Sequence, residues 1–153
     1  MILPGQEILK RGLVSPTLQP GTLNGCSFGL GSAGYDVRVE FDDTGLREWY
    51  FLEPGEFLLA STMEQFSMSI DVVGIVHDKS SLARRGVSVQ NTVIEPGWCG
   101  FLTLEIANHG KDCVGLRRGQ GIAQVLFHLL SAPAEMLYNG KYQNQGRGPQ
   151  EAR

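Results

Sequence analysis

The side chains best suited to chemistry are concentrated in one stretch, KSSLARRGVSVQNTVIEPGWCGFLTLEIA, which is residues 79–107. Ser80 and Ser81 open a short helix-forming run, and hydroxyls beside unpaired N–H groups at a helix start suit an anion such as phosphate. Arg84 follows Ser80 by four residues, so both side chains share one helix face. The pattern predicts an anion-binding site; the alternative is a plain capped helix carrying a solvated arginine.

The second half of this stretch supplies a flat ring and a carboxylate. Pro96 and Gly97 predict a turn that presents Trp98 as an apolar surface for a sugar or a base, unless the ring packs into the core. Glu105 alternates with aliphatic residues, so its side chain lies on the opposite face of a strand. A carboxylate there can act as a general acid or base, or be an ordinary exposed charge.

The elements that must position these side chains are mostly strands. Alternating or short apolar runs predict strands, and only two windows favour a helix. The predicted strands are 35–41, 57–62, 72–76, 101–107 and 122–130; the predicted helices are 6–11 and 80–85, the second with a serine N-cap and Gly86 as its stop. With 20 glycines and 7 prolines in 153 residues to form turns, we expect a closed or sandwiched antiparallel β architecture.

Composition excludes several classes of protein. The longest apolar runs fall short of the ~18 residues of a membrane span, the start lacks the form of a secretory signal, and the net charge of −3 argues against a nucleic-acid coat. Three scattered cysteines and three scattered histidines predict neither a disulfide framework nor a zinc site. We expect a cytoplasmic protein with one domain, residues 1–138, and a polar tail, residues 139–153.

An ordered set of motifs resembles the dCTP deaminase/dUTPase superfamily, and its deaminase branch most closely. The set covers roughly residues 30 to 146 and runs in the same order as in that family. Its members are SAGYD at 32–36, FLLASTME at 57–64, SSLAR at 80–84, PGW at 96–98, LE at 104–105, GQGIAQ at 119–124 and GKYQNQ at 140–145.

The resemblance implies a mainly β fold, a distorted β-barrel or jelly-roll-like dUTPase-type fold with one or two short helices. It also implies a homotrimer with active sites at subunit interfaces, and a deoxynucleoside triphosphate carried with Mg²⁺ rather than a metal held by protein ligands. The flexible tail would close over the active site as a lid. Gly34 would let the turn of the first motif approach the ligand.

The resemblance also assigns roles to individual residues. Glu105 would be the general acid/base, and Glu95 stands where the family usually has an aspartate. The hairpin between Arg84 and Glu95 is shorter than in that family, and the base pocket is rebuilt accordingly. The implied catalytic residues are Glu105, Ser80, Arg84 and Glu95; the implied substrate-binding residues are Lys79, Ser81, Gln90, Asn91, Thr92, Trp98, Gln124, Tyr138, Lys141 and Gln145.

Three functions are compatible with these residues. The first is a zinc-free deamination of dCTP to dUTP and ammonia, because the ligand signature of zinc deaminases is absent and a carboxylate beside an arginine-held oxyanion can do the work. The second is a pyrophosphatase that splits dUTP or a modified dNTP into monophosphate and pyrophosphate, with Glu95 as the key carboxylate. The third is a catalytically silent dNTP-binding protein.

Overall fold

Twelve strands and two short helices form the backbone of the computed structural model, which describes residues 1–90 and 93–152. The helices are α1 (Gly5–Arg11) and α2 (Ser80–Ala83). The strands are β1 (Val14–Ser15), β2 (Gly21–Leu23), β3 (Cys26–Leu30), β4 (Tyr35–Glu40), β5 (Trp49–Leu52), β6 (Phe57–Ser67), β7 (Val72–Asp78), β8 (Val87–Gln90), β9 (Val93–Ile94), β10 (Cys99–Asn108), β11 (Val114–Arg117) and β12 (Gly121–Leu129).

Ten of these strands form one antiparallel sheet, with the order β8-β10-β6-β4-β12-β7-β9 along its main path. The hairpin β2–β3 extends from β4, β1 pairs with β6, and β5 pairs with β11 separately. The two ends of the path, β8 and β9, are consecutive in the chain, and Gln90 and Val93 can be no more than about 11 Å apart. The sheet is therefore curled so that its ends meet, which confirms the predicted mainly β, barrel-like class.

The interior of the curl is filled by the alternating apolar face of its long strands. Tyr35, Phe66 and Phe127 are fully buried there, with the two phenylalanine ring centroids 6.3 Å apart. Glu64 is also fully buried, and Arg38 Nε donates to its carboxylate at 2.7 Å. Burial raises the pKa of Glu64 even beside this guanidinium, and burial together with Glu64 raises the pKa of Tyr35 to about 12.

The five predicted strands all exist, but several are longer than expected. The run 57–62 continues as β6 to Ser67, and 101–107 extends at both ends as β10. The predicted helix 80–85 is α2 with only four residues, and its N-cap position is Lys79 rather than a serine, so that expectation was wrong. Gly86 has φ +87, but α2 already ends at Ala83 with Arg84 as its C-cap, so Gly86 is not the stop that the sequence predicted. Among the described residues, no helix is long and apolar enough to cross a membrane.

Gly34 makes a close approach that only glycine allows. Its φ is +90, and a Cβ there would lie 2.6 Å from the carbonyl oxygen of Val125 in β12. The close neighbour of Gly34 is therefore the protein's own sheet, and the expectation that Gly34 brings a turn to a ligand stays a prediction.

We expect Gly34→Ala to lower the free energy of unfolding by about 3 kcal/mol, from backbone strain plus the overlap with Val125. Gly55 is the matched control, because it has φ +79 and nothing within 4 Å of its Cβ position. Gly55→Ala should cost only the strain, about 1 kcal/mol. Urea denaturation of both variants measures the difference, and equal losses would show that the contact with Val125 is unimportant.

Candidate active site

Glu105 lies in the middle of β10 with its side chain on the outer face of the sheet. Leu104 and Ile106 on either side of it are buried, while Glu105 is half-buried, as the alternation predicted. In the sheet Glu105 is opposite Gln90 of β8 and Leu59 of β6. Directly opposed residues lie about 5 Å apart at Cβ, so these two side chains flank the carboxylate.

A cavity of about 640 Å³ opens in front of Glu105, and we call it the Glu105 cavity. Its volume is that of a small-molecule site. Burial raises the pKa of the Glu105 carboxyl, and a hydrogen bond from its own backbone opposes this rise only in part. The lining residues are mainly aliphatic and aromatic: Phe57, Leu59, Val93, Ile94, Glu95, Trp98, Leu102, Thr103, Glu105, Tyr138, Tyr142, Gln145, Gln150, Glu151 and Ala152.

The charged residues of the Glu105 cavity are all acidic. Glu95 and Glu151 are exposed at its rim, and Glu105 lies within it. None of the described lining residues is a lysine or an arginine. The cavity is therefore suited to an uncharged, flat group such as a base, and poorly suited to several phosphate charges.

Cationic and hydroxyl groups line a second, more open depression of about 530 Å³, which we call the Ser80 cavity. The chain between Ser80 and Arg84 makes one helical turn, with the amide of Arg84 donating to the carbonyl of Ser80 at 3.1 Å. Ser80 and Arg84 line the same cavity, as their spacing on one helical turn predicted, and that they converge on a ligand stays a prediction. The lining residues are Thr22, Gly25, Ser27, Lys79, Ser80, Ser81 and Arg84.

Lys79 is held in the Ser80 cavity by a hydrogen-bonded network. Its ammonium donates to Asp36 Oδ2 at 2.6 Å and to Ser27 Oγ at 2.9 Å, and Ser27 Oγ donates to the same Asp36 oxygen at 2.8 Å. Asp36 therefore compensates the charge of Lys79, whereas Arg84, which is exposed, forms no ion pair with a residue of the described ranges 1–90 and 93–152.

The two cavities lie at opposite ends of β8. The chain passes from α2, which lines the Ser80 cavity, into the start of β8 at Val87, whereas Glu105 pairs with the last residue of β8, Gln90. Three residues of extended chain span about 10 Å. The described part of one chain therefore places the Glu105 carboxylate and the predicted anion-binding side chains in separate cavities.

The tail is bound along the start of β10. Gln145 and Gly100 form a bridge, and the amide of Phe101 donates to the carbonyl of Gln145 at 3.0 Å. The side chain of Gln145 donates to Thr103 Oγ1. Gln145 and Gln150 both line the Glu105 cavity. This is the position in which the predicted lid would cover a ligand. That the tail moves, and that residues 139–153 are a separate unit, stay predictions.

Trp98 is not the exposed apolar surface for a sugar or a base that the sequence predicted. The ring is only 5% exposed and packs on Phe66 with the centroids 6.2 Å apart. Its indole N–H donates to the carbonyl of Tyr142 at 2.8 Å. The turn before it forms as predicted, with Gly97 at φ +79. Trp98 therefore forms a wall of the cavity and anchors the tail, and leaves no open ring face.

The other predicted residues divide between the cavities and their surroundings. Tyr138 and Glu95 line the Glu105 cavity, while Gln90 lies beside it in the sheet. Gln124 and Lys141 are not among the described residues that line either cavity; Gln124 pairs with Asp36 in the sheet. The predictions for Asn91 and Thr92 lie outside the described residues.

Four polar residues that line these cavities escaped prediction, namely Thr22, Ser27, Thr103 and Gln150. Asp36 was noted only as part of a motif, although its place in SAGYD could have marked it as a partner for a cation. No group of three or more histidine, cysteine, aspartate or glutamate side chains that could hold a metal ion occurs within 1–90 and 93–152.

Comparison with solved structures identifies the fold. The dUTPase of phage phi11 of S. aureus aligns with a TM-score of 0.57 at 16% identity, over 84% of this chain and 97% of that one. The dUTPase of EIAV aligns with a TM-score of 0.52 at 18% identity, over 71% and 83% of the two chains. The chain thus has a dUTPase-type fold, as predicted; identities this low establish the fold alone.

Sequence comparison identifies the family. The profile of the dCTP deaminase-like family matches residues 36–130. The "dCTP deaminase, dUMP-forming" of Dictyoglomus thermophilum is 42% identical over 110 residues, which are 68% of this chain and 56% of that protein. Its counterpart in Methanopyrus kandleri is 41% identical over 72% of this chain and 58% of its own. The chain therefore spans little more than half the length of these two relatives.

A further relative matches almost end to end. The dCTP deaminase of Pyrococcus furiosus is 34% identical over 96% of this chain and 94% of its own length. The chain belongs to the dCTP deaminase-like family.

Proposed function

We propose that this protein deaminates dCTP, by the reaction dCTP + H₂O → dUTP + NH₃. The observation that carries the proposal is Glu105, a half-buried carboxyl whose burial raises its pKa, placed in a largely apolar cavity of about 640 Å³. Membership of the dCTP deaminase-like family supports the choice of substrate. A flat, neutral base fits this cavity, and a raised pKa suits a group that must both accept and return a proton near neutral pH.

The proposed role of Glu105 is to move a proton between water and the amino group on C4 of the base. As the carboxylate it takes one proton from a water whose oxygen bonds to C4; as the acid it returns this proton to the amino nitrogen, and the C4–N bond breaks to release ammonia. The second proton of the water ends on N3 of the base as the C4 oxygen becomes a carbonyl. The low polarity of the surrounding aliphatic and aromatic side chains disfavours the charged carboxylate and so raises the pKa of this carboxyl. Water exclusion by Gln145 and the tail supports the same step.

A complete site requires two copies of the chain. The Glu105 cavity offers no cation among its described lining residues, whereas the triphosphate needs the positive charge found in the Ser80 cavity. A symmetric assembly can bring the Ser80 cavity of one copy against the Glu105 cavity of the next. We propose a homotrimer in which Ser80, Ser81 and Arg84 of one copy hold the substrate over Glu105 of another.

Mg²⁺ would enter this site bound to the phosphates. Asp36, the carboxylate next to the Ser80 cavity, is already bonded to Lys79 and Ser27, so the residues present fit a metal carried by the substrate better than one held by the chain. When bound, the ion neutralises phosphate charge. We propose that Gln124, Lys141 and Gln145 complete the polar contacts to the triphosphate.

A second candidate follows from the names of two relatives. Both are called dUMP-forming, which corresponds to dCTP + 2 H₂O → dUMP + NH₃ + PPi. Glu95, exposed at the rim of the Glu105 cavity, is our candidate for orienting the second water at the α-phosphate.

Product analysis on a panel of dCTP, dUTP, dTTP and dATP with Mg²⁺ tests both candidates. We expect ammonia from dCTP alone. Equal amounts of ammonia and dUTP would support simple deamination, and equal amounts of ammonia, dUMP and pyrophosphate would support the second candidate. Pyrophosphate from dUTP without ammonia from dCTP would contradict deamination. Nucleotide binding with neither product would indicate a silent binding protein.

A further inference from the structure

A buried carboxylate at the end of β4 binds two guanidinium groups, and one of them belongs to the tail. Glu40 is fully buried, and Arg118 donates to both of its oxygens at 2.8 Å. Arg147 Nη2 donates to Glu40 Oε2 at 3.1 Å, and its side chain is 49% exposed. Because Arg118 already neutralises the buried charge, Arg147 can leave without stranding Glu40 unpaired.

The residues on either side of Arg147 are those that close the Glu105 cavity. Gln145 donates through its side chain, and Gln150 through its backbone amide at 3.1 Å, to the same hydroxyl of Thr103. Both residues line the cavity. We propose that the Arg147–Glu40 ion pair is a latch that sets the position of the tail across the Glu105 cavity; its effect on catalysis rests on the function proposed above.

The backbone next to Arg147 lies in close contact with the loop that follows β4. Gly148 has φ +85, and a Cβ there would lie 3.0 Å from backbone atoms of Asp43 in the loop that follows β4. The tail therefore passes the end of β4 at contact distance, with the guanidinium of Arg147 directed to Glu40 just before this point. The ion pair and the glycine contact fix the same short segment.

The charges in this cluster make the latch reversible. One carboxylate is shared by two guanidinium groups, so Arg147 is attracted by Glu40 and repelled by Arg118. Because the Arg147 side chain is half exposed, its pair with Glu40 contributes little and is screened by salt. The latch should therefore bias the tail toward the closed position and still release it during each catalytic cycle, with a strength that falls as ionic strength rises.

Hydrogen–deuterium exchange of the tail tests the latch without requiring activity. In the nucleotide-free protein, we expect Arg147→Gln to speed exchange in residues 143–152 about two- to five-fold. Arg147→Lys should restore part of the protection. Arg11→Gln is the matched control, because Arg11 forms an exposed ion pair with Asp71, and it should leave tail exchange unchanged. Gly148→Ala should also speed exchange, by strain at the neighbouring contact.

The salt dependence of exchange distinguishes the Arg147–Glu40 ion pair from general packing of the tail. Exchange of the wild-type tail should rise toward that of Arg147→Gln between about 0.05 and 0.5 M NaCl, while the variant stays constant. Equal exchange in the two proteins, or the same salt slope in both, would overturn the latch. In the active enzyme, we expect Arg147→Gln to affect KM for dCTP more than kcat. The fold-increase in KM should exceed the fold-decrease in kcat by about two- to five-fold. Faster exchange with unchanged kinetics would overturn the role over the cavity while leaving the proposed function standing.

Discussion

Glu105→Gln is expected to lower kcat for ammonia release from dCTP by at least about a thousandfold, or roughly 4 kcal/mol in the activation free energy. The amide keeps the size of the side chain and its place in the cavity, but it can neither take the proton of the attacking water nor return it to the leaving nitrogen. Ammonia release with pure protein, followed at saturating dCTP, measures the loss. A variant that keeps more than a tenth of the wild-type rate would contradict the assignment.

Stability and pH dependence distinguish this loss from a folding defect. Burial raises the pKa of Glu105, so the folded state disfavours its charged form, and the neutral glutamine should leave the melting temperature unchanged or slightly higher. Attack needs the carboxylate, so the wild-type kcat/KM should fall on the acid side, with its midpoint at a higher pH than an ordinary glutamate gives. Glu135→Gln, which removes an exposed carboxylate, is the control. It should change neither kcat nor the fall of kcat/KM at acid pH.

The long strands could be predicted from the sequence because their residues alternate between core and surface. β4, β7, β10 and β12 obey this rule closely. β6 was cut short because Glu64 interrupts its apolar pattern, and only the structure supplies the partner, Arg38, that allows a carboxylate inside the sheet. β5 escaped prediction for the opposite reason, since Trp49 and Phe51 are exposed and stack on each other at the surface.

In the site, too, local spacing could be predicted from the sequence, whereas contacts between distant parts of the chain could not. Ser80 and Arg84 are brought together by one helical turn, which spacing alone predicts. The separation of Arg84 from Glu105 depends on how β8 pairs with β10, and the burial of Trp98 depends on Phe66 and on the tail. Such distant pairings leave no periodic mark on the sequence, so spacing alone could not predict which cavity each of these side chains lines.

Co-expression of two inactive variants is expected to restore activity, because the proposed site takes Arg84 from one copy and Glu105 from the next. Arg84→Gln and Glu105→Gln chains carry different affinity tags, and purification through both tags retains only mixed assemblies. In a cyclic trimer either mixed composition contains one intact site in three, so about a third of the wild-type rate per trimer should return. Each variant alone should stay at least about a hundredfold below wild type.

The reciprocal mixture provides the control. A chain carrying both substitutions, mixed with wild-type chains and purified in the same way, forms trimers with either one intact site or none if sites lie between copies. With the two compositions equally abundant, the average is about a sixth of the wild-type rate; sites contained within one chain would instead give about a half. Two results together would require a site shared between copies. The mixture of the two single variants regains activity, and the mixture of double-variant and wild-type chains shows about a sixth of the wild-type rate. No restoration, with a half in the second, requires a rearrangement within one chain that brings its own two cavities together.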